Sequence, residues 1–209
     1  MQIVKPPLYS DKILAKSFVW RIPNNKNKIF LTFDDGPTKE ITNSIIKIIS
    51  DFDIKATFFC IGRNVDRLSD IYNKIIESGN VAGNHSYSHL NGWKVKYQEY
   101  INDVELSKNI INSNLFRPPY GKIRPKQLRA LKSNFKIVMW DVLSGDYNYK
   151  QSPIDVYKNV VNNVKSGSII VFHDSDKAKK NMLYALPKAI ENLLKKGFVF
   201  DVIDYNKLK

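Results

Sequence analysis

Cysteine, histidine and long apolar runs are all scarce in this chain of 209 residues. The single cysteine, Cys60, excludes an internal disulfide and a zinc site built from several cysteines. No apolar run approaches the roughly 20 residues that a membrane-spanning helix needs. The first 28 residues scatter charges among apolar side chains and lack the uninterrupted apolar core of a signal peptide. The sequence leaves two locations open: the cytoplasm, because a signal peptide is not recognised, and the cell envelope, if a glycan there is the substrate.

Acidic residues are also few, because 20 Asp and Glu stand against 33 Lys and Arg, for a formal net charge of +13. A charge of this size attracts polyanions such as nucleic acids or anionic cell-envelope polymers. The lysines are spread along the chain, and it has no basic arm or nucleic-acid-binding motif. We expect anionic surroundings, with cell-envelope polymers as possible partners, but no specific nucleic-acid partner.

The apolar residues alternate between strand-like and helix-like periodicity. Seven strands are predicted, at 29–33, 56–60, 80–82, 115–116, 136–140, 168–172 and 198–203. Helices are predicted at 38–52, 69–78, 97–112, 124–133, 152–166 and 181–196, where Pro187 should kink or divide the last one. This alternation implies parallel pairing with right-handed crossovers. We predict one α/β domain at 29–209, a closed or nearly closed barrel, with 1–28 as an arm or cap; an open doubly wound sheet is the alternative.

Polar and ionisable residues follow five of the predicted strands. In barrels of this kind, residues beyond the carboxyl ends of the strands form the active face. The candidates for that face are Asp34, Asp35, His85, His89, Arg117, Tyr120, Asp141, Asp146, His173 and Asp174. Their convergence at one end of the fold is stronger evidence for a functional site than any one motif.

A metal site is predicted from two histidines and two adjacent carboxylates. If residues 84–90 are helical, His85 and His89 face the same side and can bind one ion. With a carboxylate they form a set that suits Zn²⁺, Fe²⁺ or another transition metal. Asp34 and Asp35 would repel each other at a buried strand end unless a cation neutralised them. One should therefore bind the ion and the other stay free as a base, whereas a simple polar turn would explain only one of them.

Two further residues have candidate roles. His173 follows an apolar strand at the same face, and an imidazole with a pKa near ~6.5 can protonate a leaving group. The alternative is a histidine that is satisfied by a core carbonyl. Arg117 precedes two prolines and could hold a carboxylate bidentately or form a surface ion pair; the bare sequence does not choose between these.

In family order, these motifs resemble those of the polysaccharide deacetylases, carbohydrate esterase family four, which remove acetyl groups from chitin, peptidoglycan and related glycans. TFDDGP at 32–37 is similar to the first motif, HSYSH at 85–89 to the second, RPPY at 117–120 to the third and VFH at 171–173 to the fifth. The fourth motif, commonly Asp-x-x-Asp-Trp, departs, since Leu143 stands at its first Asp and Tyr147 at its Trp, while Asp146 is retained. The departure bears on substrate identity more than on the chemistry.

The resemblance implies a distorted (β/α)7 barrel and a bound divalent metal, often zinc, with other transition metals such as cobalt as alternatives. It assigns roles by motif position: metal ligands Asp35, His85 and His89; a base, Asp34, oriented by Arg117; an acid, His173, tuned by Asp146; an oxyanion donor, the backbone N–H of Tyr120; and an acetyl-pocket residue, Val171.

The expected activity is metal-dependent hydrolysis of N-acetyl groups on an acetylated glycan of the peptidoglycan or chitin type. Three alternatives stay open. The chain could deacylate a small amide or an O-acetyl ester, or it could bind a glycan without catalysis. Nucleic-acid binding rests on charge alone and would require a steeply salt-dependent affinity.

Overall fold

The structure, a computed structural model, describes residues 17–208. Its strands are β1 Phe18–Val19, β2 Lys28–Asp34, β3 Thr57–Cys60, β4 Val81–Asn84, β5 Leu115–Phe116, β6 Lys136–Val138, β7 Val142–Leu143, β8 Ile169–His173 and β9 Val199–Phe200. Its α-helices are α1 Ile41–Asp51, α2 Gly62–Arg67, α3 Ser69–Glu77, α4 Tyr97–Ile111, α5 Pro125–Leu131, α6 Pro153–Val161 and α7 Lys179–Lys195. Short 3-10 turns lie at Pro119–Gly121 and Tyr205–Lys207.

The strands form one curled parallel sheet. Their order is β1-β6-β5-β4-β3-β2-β8-β7, and β9 pairs with the start of β2. Every pairing between these strands is parallel. The sheet confirms the predicted single α/β domain of distorted-barrel type, since its strands follow the alternating strand and helix pattern of the sequence.

Strand β2 shows why this sheet is buried on both faces. Ile29, Leu31 and Phe33 pack into the large cluster between the sheet and the helices. Phe30 packs on the other side, in a second cluster with Phe59 and other residues of the curled sheet. Because side chains alternate along a strand, the even-numbered residues of β2 point to the inside of the curl. This alternation places Asp34 at the inner side of the strand end.

All seven predicted strands are present, with shorter bounds at β6 and β9. Two short strands and one helix, β1, β7 and α2, were not predicted. Strand β1 pairs Phe18 with Ile137 and Val19 with Val138, so residues 18–19 belong to the sheet although they precede the proposed boundary at residue 28. The rest of the predicted arm, residues 1–16, lies outside the described residues.

Helix α7 continues through Pro187, so it is not divided there, and the alternative of a kink at Pro187 stays a prediction. The flanking residues Leu186 and Ala189 are almost fully buried. Packing of this face against the sheet outweighs the lost backbone hydrogen bond. Cys60 is a buried residue of β3, as predicted. Within residues 17–208, no helix is both long and apolar enough to cross a membrane.

Candidate active site

A cavity of about 470 Å³ opens at the carboxyl ends of the strands. Most of the predicted candidates border it, together with aromatic and basic side chains from the surrounding loops. The lining residues are Asp34, Asp35, His85, His89, Pro118, Tyr120, Lys122, Trp140, Leu143, Tyr147, Val171, His173, Ser175 and Lys177.

Three potential metal ligands converge in this cavity. Asp35 Oδ1 lies 3.2 Å from His89 Nε2 and 3.7 Å from His85 Nε2. One donor atom from each of the three residues lies within 4.8 Å of the others. Two imidazoles and one carboxylate are a donor set that divalent transition metals bind in proteins. The residues present therefore fit the predicted metal.

The histidine pair is not on a helix, contrary to the assumption that residues 84–90 are helical. The chain leaves β4 at Asn84 and turns through left-handed backbone conformations at Ser86, with φ 62°, and His89, with φ 59°. Asn84 Oδ1 accepts a hydrogen bond from Ser86 N at 2.7 Å. The Asp103 carboxylate of α4 accepts hydrogen bonds from the backbone N–H groups of Tyr87 and Ser88. These side chains hold the loop in the shape that brings both imidazoles together.

His85 is oriented as a metal ligand. Its Nδ1 lies 2.7 Å from the carbonyl oxygen of Arg117. A carbonyl only accepts hydrogen bonds, so Nδ1 must carry the proton and the Nε2 lone pair faces Asp35. Burial lowers the pKa of His85 to about 4, against the opposing charges of Asp34 and Asp35, which keeps the ring neutral at physiological pH.

Asp35 is held as an anion. Burial alone would raise its pKa, but the hydrogen bond from His89 and the charges of His173, His85 and His89 outweigh burial, so the pKa of Asp35 is lowered. Its backbone has φ 80°, and its carbonyl oxygen accepts a hydrogen bond from Asn64 Nδ2 at 2.9 Å. The carboxylate is thus ionised and fixed in place before any cation binds.

The second carboxylate, Asp34, is paired with Arg117. Arg117 Nη1 lies 2.6 Å from Asp34 Oδ1 and 2.8 Å from the hydroxyl of Thr32. Its other nitrogens donate to the carbonyl oxygens of Val138 and Met139, and the fully buried guanidinium stacks 4.0 Å from the Phe59 ring centroid. Arg117 therefore forms a buried ion pair and not a surface ion pair. It contacts only one oxygen of the Asp34 carboxylate, so the bidentate contact considered from the sequence is not formed.

His173 and Asp146 form a further pair beside the cavity. His173 Nδ1 lies 2.8 Å from Asp146 Oδ1, and the backbone N–H of His173 donates to Asp146 Oδ2 at 2.7 Å. Burial alone would lower the pKa of His173, but the charge and hydrogen bond of Asp146, aided by Asp35 and Asp34, raise it to about 9. The imidazolium form is therefore favoured at neutral pH, with Nε2 as its remaining donor.

Tyr120 and Val171, to which the resemblance assigns contacts with the substrate, both line the cavity. Tyr120 sits in the 3-10 turn with φ 60° and a largely exposed side chain. The two hydrogen bonds that close this turn come from Gly121 and Lys122, and neither uses the Tyr120 N–H. Val171 is buried in β8 and pairs in register with Leu143 of β7. Val171 and Leu143 both form apolar wall of the cavity, and Leu143 stands where the fourth motif commonly has a carboxylate.

Three of the strand-end carboxylates do not border the cavity: Asp146, which contacts His173, and then Asp141 and Asp174. Asp141 lies beside the start of β8, where it contacts Arg21 Nε at 3.2 Å and accepts from Ser168 and Ile169. Asp174 is buried against α1 and accepts hydrogen bonds from Thr38 and Thr42 at 2.7 and 2.5 Å. Burial raises the pKa of Asp174 to about 6. Both carboxylates hold neighbouring segments together.

Three residues that shape the site were not among the predicted candidates. Thr32 lies two residues before Asp34 on the same face of β2, so strand periodicity could have identified it. Asn64 and Asp103 act through α2 and α4, and no local pattern marks either of them.

Comparison with known proteins supports the family resemblance. A family model described as "Polysaccharide deacetylase" matches residues 21–137. A "Peptidoglycan-N-acetylglucosamine deacetylase" of Bacillus cereus is 38% identical over an alignment of 186 residues that covers 85% of this chain and 67% of the relative. The corresponding protein PgdA of Listeria monocytogenes is 30% identical over 183 residues, 85% of this chain and 38% of the relative.

Solved structures show the same fold. The crystal structure of the Bc1960 peptidoglycan N-acetylglucosamine deacetylase superposes with a TM-score of 0.87 at 34% identity and covers 95% of each chain. BA3943, described as a CE4 family pseudoenzyme from Bacillus anthracis, superposes with a TM-score of 0.79 at 25% identity, over 89% of this chain and 67% of its own.

Proposed function

The chain belongs to the polysaccharide deacetylase family, and from this premise we propose that it removes N-acetyl groups from an amino-sugar polymer of the peptidoglycan type. One observation supports the proposal above the others. The donor atoms of Asp35, His85 and His89 converge in a cavity that Asp34 and His173 also line. The names of the relatives favour peptidoglycan over chitin as the substrate.

Members of this family depend on a metal, and Asp35, His85 and His89 would hold it. Zinc is the proposed ion, because it commonly takes nitrogen and carboxylate ligands and keeps a position open in catalytic sites; cobalt is an alternative. When bound, the ion would act as a Lewis acid towards the acetyl carbonyl and the attacking water.

Asp34 is the proposed general base. Arg117 contacts its Oδ1, which leaves Oδ2 to accept a proton from the attacking water. The buried guanidinium also fixes the orientation of the carboxylate, because Arg117 is itself held by two backbone carbonyls and Thr32. A base whose geometry is fixed before substrate binds avoids the entropic cost of positioning it during the reaction.

Tyr120 and His173 would act on the opposite ends of the scissile bond. The unused N–H of Tyr120 can donate to the oxyanion that develops on the acetyl oxygen, an interaction that strengthens only as the transition state is approached. His173 would donate the proton of its Nε2 to the departing amine. Asp146 keeps that proton in place at neutral pH, because it raises the pKa of His173. Val171 and Leu143 would contact the methyl group of the acetyl.

Acetate release from an N-acetylated tetrasaccharide tests the proposal. Asp34→Asn removes the base but none of the proposed ligands, so turnover should be abolished while zinc remains bound in a stoichiometric ratio by elemental analysis. Asp70→Asn, at an exposed carboxylate of α3, is the matched control and should keep full activity. Near-normal acetate release by Asp34→Asn would remove Asp34 from the role of base.

A glycan-binding protein without catalysis is the second candidate function. The fold shared with a protein described as a pseudoenzyme favours it. The complete set of acid, base and ligand positions in this chain favours catalysis. Tight binding of the tetrasaccharide with no acetate release from N-acetyl or O-acetyl substrates would establish the binding function.

The net charge of +13 supports one further part of the proposal, that anionic cell-envelope polymers hold the protein near its substrate.

A further inference from the structure

Two lysines border the cavity without taking part in the proposed chemistry. Lys122 follows the 3-10 turn after β5, and Lys177 lies in the loop between β8 and α7. In the sheet, β4, β3 and β2 lie between β5 and β8. The two ammonium groups therefore approach the cavity from different sides of the catalytic cluster.

Both ammonium groups are placed by aromatic rings. Lys122 Nζ lies 5.2 Å from the ring centroid of Trp93, and Lys177 Nζ lies 5.8 Å from that of Tyr147. Among residues 17–208, neither lysine has a carboxylate within ion-pair distance. Contact with a ring face attracts a cation but does not neutralise its charge. Each lysine therefore offers an uncompensated positive charge at the cavity rim.

The carboxylates of the cavity do not supply the missing counter-charge. Asp34 and Asp35 are the only acidic residues that line it in the described part of the chain. Asp34 is paired with Arg117, and Asp35 faces the two histidines. Asp176, the acidic neighbour of Lys177, is exposed and does not line the cavity. An anionic group on a substrate would meet the lysines without a competing acid at the rim.

We propose that Lys122 and Lys177 make the enzyme selective for glycans that carry a carboxylate on the sugar next to the one that loses its acetyl group. This inference rests on the proposed function. In peptidoglycan-type chains the carboxylate has two sources, the lactyl ether of a muramic-type sugar or the peptide attached through it. Chitin-type chains are neutral and offer no partner to either lysine. The lysines thus determine substrate class, whereas the metal-competent cluster determines the reaction.

The effect should be modest, because both lysines are partly solvated. An exposed ion pair changes a binding constant by at most about fivefold. Together the two lysines should therefore favour a carboxylate-bearing substrate by about 3- to 20-fold in kcat/KM. The preference should shrink as the salt concentration rises, since the Debye length falls to about 3 Å at 1 M salt.

The experiment compares acetate release from four tetrasaccharides by the full chain. One is neutral chitotetraose, one alternates N-acetylglucosamine with a sugar bearing a free lactyl carboxylate, one has that carboxylate blocked as an amide, and one carries a peptide on it. Lys122→Gln/Lys177→Gln should bring the ratio of carboxylate-bearing to amide-blocked kcat/KM close to one. Lys188→Gln is the matched control, because its ammonium also lies over a ring, that of Tyr184 at 4.8 Å, but does not line the cavity.

The outcomes are separable. A preference for the free lactyl substrate that the double substitution abolishes identifies the lactyl group as the source. A preference that only the peptide-bearing substrate shows, and that the double substitution abolishes, identifies the peptide; both results support the proposal. If both carboxylate-bearing substrates give a ratio below about two in the unsubstituted enzyme, or if the double substitution leaves the ratios unchanged, the proposal is overturned while acetate release stands. Absence of acetate release from all four substrates would instead overturn the proposed function and this inference with it.

Discussion

The pair formed by His173 and Asp146 gives a direct measure of the electrostatics of the site. Asp146 is fully buried, and only 15% of the His173 side chain is exposed. We consider Asp146→Asn, which preserves the size of the side chain but removes its charge. Burial then remains as the largest single influence on the ring, opposed only by the charges of Asp35 and Asp34, so the pKa of His173 should fall from about 9 towards its ordinary value.

The size of the effect follows from the pKa. In the unfolded chain His173 titrates near 6.5, and in the folded protein near 9, which corresponds to on the order of 3 kcal/mol because each pKa unit is about 1.4 kcal/mol. Since the folded pKa is the higher one, this stabilisation is fully present below pH 6.5 and is lost as the pH rises through 9. Asp146→Asn should abolish that loss and flatten the stability profile between these pH values.

The assay combines urea unfolding at pH 6 and pH 9.5 with NMR titration of the imidazoles in metal-free protein. Only three histidines are present, which simplifies their assignment. Zinc should lower the pKa of His173, because the cation offsets the charges of Asp35 and Asp34. In the enzyme, the alkaline limb of kcat should move to lower pH in Asp146→Asn. If His173 of this variant still titrated near 9, or if its stability kept the same pH dependence, Asp146 would not be the source of the raised pKa.

Three further outcomes are expected. Arg117→Met should reduce the free energy of unfolding by about 3–5 kcal/mol because it leaves the Asp34 carboxylate buried without its partner, and Arg117→Met combined with Asp34→Asn should be less destabilised in urea titrations. His89→Ala should weaken zinc binding by more than tenfold in calorimetry, and a chelator should abolish acetate release from the unsubstituted enzyme until zinc is restored. Because the folded pKa of Asp174 is raised to about 6 from 3.8, stability should fall as the pH rises between these values. Asp174→Asn should lack that fall, as measured by thermal unfolding at pH 4 and pH 7.

The positions of the strand ends could be predicted from the sequence for a physical reason. Parallel strands buried on both faces appear as short apolar runs, and their carboxyl ends must meet at one edge of the sheet. Once the strands are recognised, polar residues directly after such runs, such as Asp34 and His173, are therefore expected to lie together at that edge. The short strands β1 and β7 escaped prediction, because two residues are too few to show a period of two.

The loops were less predictable because distant residues determine them. Asp35, Ser86, His89 and Tyr120 all have positive φ and all lie at or beside the site. Such conformations cost on the order of 1–3 kcal/mol each and persist only where surrounding contacts enforce them. For the histidine loop the enforcing contacts include the carboxylate of Asp103, which accepts hydrogen bonds from two backbone N–H groups that lie 15 and 16 positions away along the chain. A helical spacing of four residues and this strained loop both bring two imidazoles to one point. The spacing therefore predicts correctly that His85 and His89 meet, although it misidentifies the backbone that carries them. The local motifs therefore predict which side chains can donate to a metal ion. The positions of those side chains depend on distant residues such as Asp103, which belong to no motif.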